Sequence, residues 1–381
     1  MKICGIVTEY NPFHNGHLYH IEQARKLSQC DVLIAVMSGN YVQRGQMAII
    51  DKHKRAHFAV QNGVDIVLEL PYIYATQSAS KFAKGAIDIL KMAKVDTICF
   101  GSETNNLVEL QEIANTSINI DNLKELMNTG NSFPKAYGLL SSSMASNDIL
   151  AVSYLKALKD TNIKAISIQR TNNYHDETLT NIASAKAIRK AIYDHEDVSI
   201  ATAMPITYEQ CVFLRQFFPL IKQKLLTSNI NDLKNIFLFS EGIENHLIKQ
   251  AKLAYDFDTF INNATTRRYT TSRICRCLIH MLNNITKEDV NNLPPLDTIK
   301  VLAFNDNGQK YLKQIKKDVK IASNFSQYPR GYAQMELKTT YTYVSYLPEN
   351  IAKKIIEQET KGAIKIYIAP FEYNNKIHLH Y

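Results

Sequence analysis

The sequence predicts an α/β protein: a Rossmann-like core with a parallel sheet, then a helical region, then a small C-terminal α/β region. Two observations carry this. Apolar runs of strand length alternate with amphipathic stretches through the first half, as expected for strands buried on both faces by crossover helices. The first run also ends in a turn-forming stretch with a glycine between histidines, at the strand end where open parallel sheets bind ligands. In chain order, residues 3–7 read as the first strand, and 17–28 as a helix with Ile21, Ala24 and Leu27 on one face. Residues 32–37 form the second strand, 52–62 a helix, 64–68 the third strand, 78–93 a helix and 97–100 the fourth strand; 165–168 supplies a later one. Residues 107–160 read as mostly helical, as do 200–290. The final stretch is mixed, with strands at 299–304, 341–345 and 364–369 and a helix at 308–317. The expected division is a catalytic domain over 1–195, a helical region over 196–295 and a mixed region over 296–381.

A chain of 381 residues holds two to three domains at about 100–200 residues each. An apolar share of 45% excludes a disordered or collagen-like chain. No apolar run reaches the roughly 18–20 residues of a membrane helix. Residues 1–3 run straight into a strand pattern without a leader, so a cytoplasmic protein with no membrane partner is expected. Of six cysteines, Cys4 and Cys99 suit small buried positions in strands. Cys275 and Cys277 would point to different faces of a helix, and no second pair has zinc spacing; no metal site is assigned. The formal charge is +8, and the excess gathers late, around Arg215, Lys222 and Lys224, at Arg267, Arg268, Arg273 and Arg276, and at Lys310–Lys317. Any one cluster reads as a solvated face. Together they permit a polyanionic partner.

The strongest motif is Val7-Thr8-Glu9-Tyr10-Asn11-Pro12-Phe13-His14-Asn15-Gly16-His17-Leu18-Tyr19-His20, which closes the first strand and opens the first helix. Free N–H groups and the helix dipole there favour phosphate. Gly16 lets a phosphate approach the backbone. His14 and His17 can donate to oxygens whose charge grows as pyrophosphate leaves. A metal site at His14, His17 and His20 is the competing reading, but no nearby carboxylate or cysteine completes a zinc set.

The string Asn11-Pro-Phe-His-Asn-Gly-His17 resembles the H-x-G-H motif of the nucleotidyltransferase superfamily, which includes the class I aminoacyl-tRNA synthetases. With Met37-Ser-Gly-Asn40, Gln43-Arg-Gly45, Asp51-Lys52, Glu69-Leu-Pro71 and Phe100-Gly-Ser-Glu103, the N-terminal third is similar to the tRNA(Met) cytidine acetate ligase family. The likeness is dense over 1–105, patchier to about 190, and resumes at Thr266-Arg-Arg-Tyr-Thr270 and Val301-Leu-Ala-Phe-Asn305. It implies a ligase that joins acetate to N4 of the wobble cytidine of elongator tRNA(Met) through an acetyl-adenylate. ATP would be the cofactor, with Mg²⁺ beside it, and RNA rather than DNA the polymer bound. It implies that 7–20 cradle ATP, that His14 and His17 are catalytic, and that Gly101, Asn147 and Arg170 contact the nucleotide. On position alone, Asn147 also reads as a helix cap and Arg170 as a surface arginine.

Further groups keep two readings. Ser38 and Asn40 line an acetate or adenylate pocket, or form a tight turn after the second strand. Arg44, Lys52 and Arg55 hold the acetate carboxylate or RNA backbone, or face water. Arg189 clamps the β- and γ-phosphates or lies on the surface. Arg267, Arg268, Arg273 and Arg276 are the expected tRNA contacts. The chain departs from the family pattern at Gln46-Met47, at Asp148 and at Ala185-Lys-Ala187; Asp148 would repel a triphosphate unless it turns away or meets magnesium. The competing functions are a small-molecule adenylyltransferase of the same superfamily and a non-catalytic RNA-binding regulator.

Overall fold

The computed structural model describes residues 1–116, 125, 129, 144–170 and 179–367. Strands β1 (Ile3–Thr8), β2 (Val32–Ser38), β3 (Ile66–Leu70), β4 (Thr97–Ser102) and β5 (Lys164–Gln169) lie parallel in the order β5-β4-β1-β2-β3. The order reverses beside β1: Cys4 registers with Leu33 of β2 on one side and with Thr97 of β4 on the other. The crevice beyond the carboxyl ends of β1 and β4 is therefore the topological switch point where such sheets bind ligands.

Helices cover both faces. Ile21 and Ala24 of α1 (Asn15–Ser28), Ala56 and Val60 of α2 (Lys52–Gln61), and Ile188 of α5 (Ala185–Tyr193) form the core on one side. On the other, Ala83, Ile87 and Leu90 of α3 (Ala79–Met92) meet Ala151 and Leu155 of α4 (Ser146–Leu158). Local chemistry sets the starts: Asp51 accepts from His53 N and Lys54 N ahead of α2, and Ser184 from Ala187 N ahead of α5, as N-cap side chains do. Helices α6 (Phe218–Thr227), α7 (Ile243–Leu253), α8 (Phe257–Ala264) and α9 (Thr271–Leu282) pack around a separate core containing Ile221, Leu247, Phe260 and Leu278.

The strand expected near 299 is β6 (Thr298–Phe304). It pairs antiparallel with β3 and carries β7 (Lys320–Ala322) and β8 (Ile364–Lys365). The change of composition near 295 is thus not a break in the sheet. Helix α10 (Asp306–Ile315) follows β6. The strand expected at 341–345 is a correction: these residues end helix α11 (Arg330–Val344). Tyr332, Met335, Glu336, Thr339 and Tyr343 are buried along one helical stripe, and that packing overrides the β-like Tyr, Thr and Val composition. The third strand also begins two residues later than expected; just before it, the Asp65 carboxylate accepts from Leu33 N at 2.8 Å and Asn305 Nδ2 at 2.9 Å. Of the strand expected at 364–369, residues 368 and 369 lie outside the described residues, as does most of 117–143 within the helical stretch.

A wholly buried ionic cluster bolts the C-terminal elements to the core. Lys52 Nζ lies 2.5 Å from Glu69 and 2.7 Å from Glu359 of α12 (Glu349–Lys361). Lys300 Nζ of β6 lies 2.7 Å from the same two carboxylates. Glu336 of α11 accepts from Tyr72 N at 2.6 Å, with Lys52 Nζ 3.8 Å away. Lys52 and Arg55 therefore do not face water: both are buried with internal partners. Arg55 donates to Ile50 O, Glu9 O, Ser38 O and Gly39 O, which ties down the turns after β1 and β2.

Candidate active site

The start of α1 is where sequence and chemistry meet. The helix begins at Asn15, two residues before the expected start, because His14 is its N-cap. Gly16 N donates to His14 Nδ1 at 3.1 Å, and His14 N donates to His17 Nδ1 at 3.1 Å. This is a capping box made of two imidazoles. The bonds also set the tautomers: a neutral ring that accepts at Nδ1 carries its proton on Nε2. Burial, aided by Arg170 and Arg189, lowers the pKa of His14 to about 3. Burial, then His14, His20 and Arg170, hold His17 well below the ordinary imidazole range. Burial and Arg170 lower His20 to about 4. At neutral pH His14 and His17 are therefore neutral N–H donors, their rings tilted by 34° with centroids 3.7 Å apart.

These rings open onto a cavity of about 1030 Å³ at the switch point. That is the upper end of the usual range for ligand pockets, with room for a nucleotide and a second group. From the first motif, Val7, Thr8, Glu9, Tyr10, Asn11, His14, Gly16, His17, Tyr19 and His20 line it. Pro12, Phe13, Asn15 and Leu18 do not. Phe13 packs edge-on against Phe58, Leu18 packs on the core, and Asn15 Nδ2 donates to Asn181 and Ile200 O.

Gly101, Asn147, Arg170 and Arg189 come from four separate elements to the same cavity. A Cβ on Gly101 would lie 3.2 Å from Arg170 Cγ, so the glycine lets the Arg170 side chain approach the end of β4. Arg170 Nε is buried without a hydrogen-bond partner. Asn147 is not a cap itself. Its backbone N and that of Asp148 donate to the Glu103 carboxylate at 3.1 Å, and Asn147 Nδ2 does so at 2.6 Å. Asp148 turns away from the cavity and accepts from Ser102 Oγ, Glu103 N and Thr104 N. Arg189 Nη1 donates to Asn11 O at 2.7 Å.

The second-strand residues are not brought together with these. Ser38 is fully buried and does not line the cavity; Asn40 bridges Lys52 N and Thr340 Oγ1. The next turn does reach the cavity, through Gln43 and Arg44. Gly45 has φ +77°, and a Cβ there would meet Arg276 N at 2.2 Å, so this loop packs directly on the backbone of α9. Arg276, expected with Arg267, Arg268 and Arg273 as a tRNA contact, lies in the cavity wall with Thr270 and Ser272 and donates to Gln43 O at 3.1 Å. The signal was present: Gln43-Arg-Gly45 is one of the strings that carried the family resemblance. Arg267 stays exposed, and Arg268 and Arg273 share Glu241 at 3.4 and 3.0 Å.

Among the described residues the cavity is lined by Arg44, Lys156, Arg170, Arg189 and Arg276 and by a single carboxylate, Glu9. Such a wall favours a polyanion. No group of three or more His, Cys, Asp or Glu among the described residues could hold a metal ion. No helix among them is long and apolar enough to cross a membrane.

Residues 1–359 match the family described as HIGH Nucleotidyl Transferase. The chain belongs to this family. It is 39% identical to the tRNA(Met) cytidine acetate ligase of Oceanobacillus iheyensis, over 96% of this chain and 100% of that protein. It is 40% identical to the ligase of the same name from Fusobacterium nucleatum, over 83% and 85% of the two chains. Among solved structures it is similar to Thermotoga maritima TmcAL bound with alpha-thio ATP, with a TM-score of 0.81 and 31% identity over 96% of this chain and 100% of that one. The resemblance read from the sequence thus extends over nearly the whole chain.

Proposed function

We propose that this protein is an ATP-dependent ligase that joins acetate to N4 of the wobble cytidine of elongator tRNA(Met), through acetyl-adenylate. The observation that carries the proposal is one cavity with two kinds of wall. Its lining joins His14, His17, Gly101 and Arg170 to Arg44 and, from the helical region, to Thr270, Ser272 and Arg276. A small-molecule adenylyltransferase has no need of the second wall, which suits a second substrate presented from the helical side.

Acetate resists nucleophilic attack until its oxygen is joined to the α-phosphorus of ATP. His14 and His17 supply uncharged Nε2–H donors to the transferring phosphate, and Arg170 and Arg189 supply fixed charge for the departing pyrophosphate. Because His14, His17 and Arg189 are held by backbone hydrogen bonds, the first step is mainly positioning and electrostatics. The orphaned Arg170 Nε and the close approach at Gly101 fit a bound triphosphate. Mg²⁺ would be held chiefly by that triphosphate, since the wall offers one carboxylate, and it would neutralise charge on the leaving group. The target cytidine must be unstacked to enter, as loop bases are in RNA recognition. Arg267, Arg268 and Arg273 lie on the same region's surface and would meet RNA phosphates. The working compartment is the cytoplasm, where tRNA and ATP meet.

The test is isotope exchange between labelled pyrophosphate and ATP. The proposal expects exchange that depends on acetate. Exchange that ignores acetate but responds to a phosphorylated metabolite would overturn it.

A further inference from the structure

Transfer of the acetyl group poses a problem that the phosphate-binding groups do not solve. The exocyclic amine of cytidine is a weak nucleophile, and it must lose a proton as it is acylated. His14 and His17 accept backbone N–H groups at Nδ1, so their other nitrogens carry protons and cannot take one. His20, lowered to about 4, is a weak base. Arg44, Lys156, Arg170, Arg189 and Arg276 are donors.

We propose that Glu9 is the catalytic residue that accepts the N4 proton of the target cytidine during acetyl transfer. This inference rests on the ligase reading and deepens it. Glu9 is the single carboxylate lining the cavity among the described residues. Its Oε1 is fixed by Gln43 N at 2.7 Å, and Gln43 O in turn accepts from Arg276 of α9 at 3.1 Å. One residue, Gln43, thus joins Glu9 to the wall built by the helical region. Its backbone is held as well, since Arg55 Nη1 donates to Glu9 O at 2.6 Å. Burial raises its pKa, opposed by the Gln43 N–H and by Arg44, Arg189 and Arg55; Tyr154 of α4 also lies within its field. A carboxylate so placed is a stronger base than one in water, which suits proton abstraction near neutral pH.

The step balances within the site. The N4 lone pair forms the bond to the acetyl carbon. The bond from that carbon to the adenylate oxygen breaks, and AMP leaves with the electron pair. The N4 proton passes to the free oxygen of Glu9 and then to solvent. No oxidant or further reactant is needed.

The test is Glu9→Gln, whose amide oxygen can still accept from Gln43 N. Two acceptors are compared with full-length protein, ATP and labelled acetate: unmodified tRNA(Met) transcript, and hydroxylamine, which needs no enzymic base. The expected result is a fall of roughly 10²–10⁴-fold in single-turnover tRNA acetylation, and a clearly smaller fall in hydroxamate formation. Wild-type transfer should rise with pH through the titration of Glu9, and Glu9→Gln should lose that limb. Glu9→Asp, which keeps the charge but shortens the reach, should restore part of the rate and the limb. Equal losses with both acceptors would overturn the role, as would an unaltered pH profile. A wild-type protein that makes hydroxamate but never acetylcytidine would overturn the ligase reading and the Glu9 role together.

Discussion

The imidazole pair at the start of α1 does two jobs with the two nitrogens of each ring. Nδ1 of each ring closes the helix start, and Nε2 is left as a neutral donor to the cavity. His17→Ala removes one donor and half of the capping box, and should lower acetate-dependent pyrophosphate exchange by roughly 10²–10³-fold. The depressed pKa values give a pH prediction. His14 is lowered to about 3 and His17 well below the ordinary imidazole range, so pyrophosphate exchange should show no loss around pH 6.5, where a free histidine titrates. Stability should fall as pH drops below 6.5, because the unfolded chain takes up protons that the buried rings refuse. Denaturant titrations of wild type and His14→Gln should diverge in that window. At Gly101, a methyl group would press on Arg170 Cγ at 3.2 Å; Gly101→Ala should weaken ATP binding several-fold, measured by calorimetry, with the melting temperature little changed. The placing of His14, Gly16 and His17 at a helix start after the first strand was legible in the sequence because that geometry is local. Arg55 was not, because nothing in the sequence says which backbone carbonyls will surround it.

Between elements, the buried cluster of Lys52, Glu69, Lys300, Glu336 and Glu359 links α2 and β3 to β6, α11 and α12. Removing one partner of a buried ion pair strands the others: Glu359→Ala should cost about 3–5 kcal/mol of unfolding free energy. Glu336 has the opposite sense. Burial and the nearby Glu69 raise its pKa to about 8, so the folded state holds a proton that the unfolded state releases near pH 4.5. Its contribution is full below that pH and is lost as pH rises to about 8. Wild-type urea midpoints should therefore decline across this window more than those of Glu336→Gln. The parallel strands were readable as near-continuous apolar runs. The helix Arg330–Val344 was misread as a strand in part, since Tyr, Thr and Val favour strands until tertiary packing decides otherwise. The antiparallel addition of β6 beside β3 rests on contacts more than 200 residues apart in sequence, and no local pattern announces it.

For the molecule as a whole, the loop at Gly45 and helix α9 make one site out of two regions. Gly45→Ala would force a side chain into the backbone at Arg276 and should depress tRNA acetylation more than pyrophosphate exchange. Charge reversal at Arg267 and Arg268 should weaken tRNA binding and reduce its dependence on salt, while exchange in the absence of tRNA is retained. The measurement that tests the central claim most directly is mass spectrometry of nucleosides from unmodified elongator tRNA(Met), incubated with the protein, Mg²⁺, ATP and isotope-labelled acetate. The account predicts labelled N4-acetylcytidine that disappears with His17→Ala. Pyrophosphate release from ATP without any acetylcytidine would contradict it.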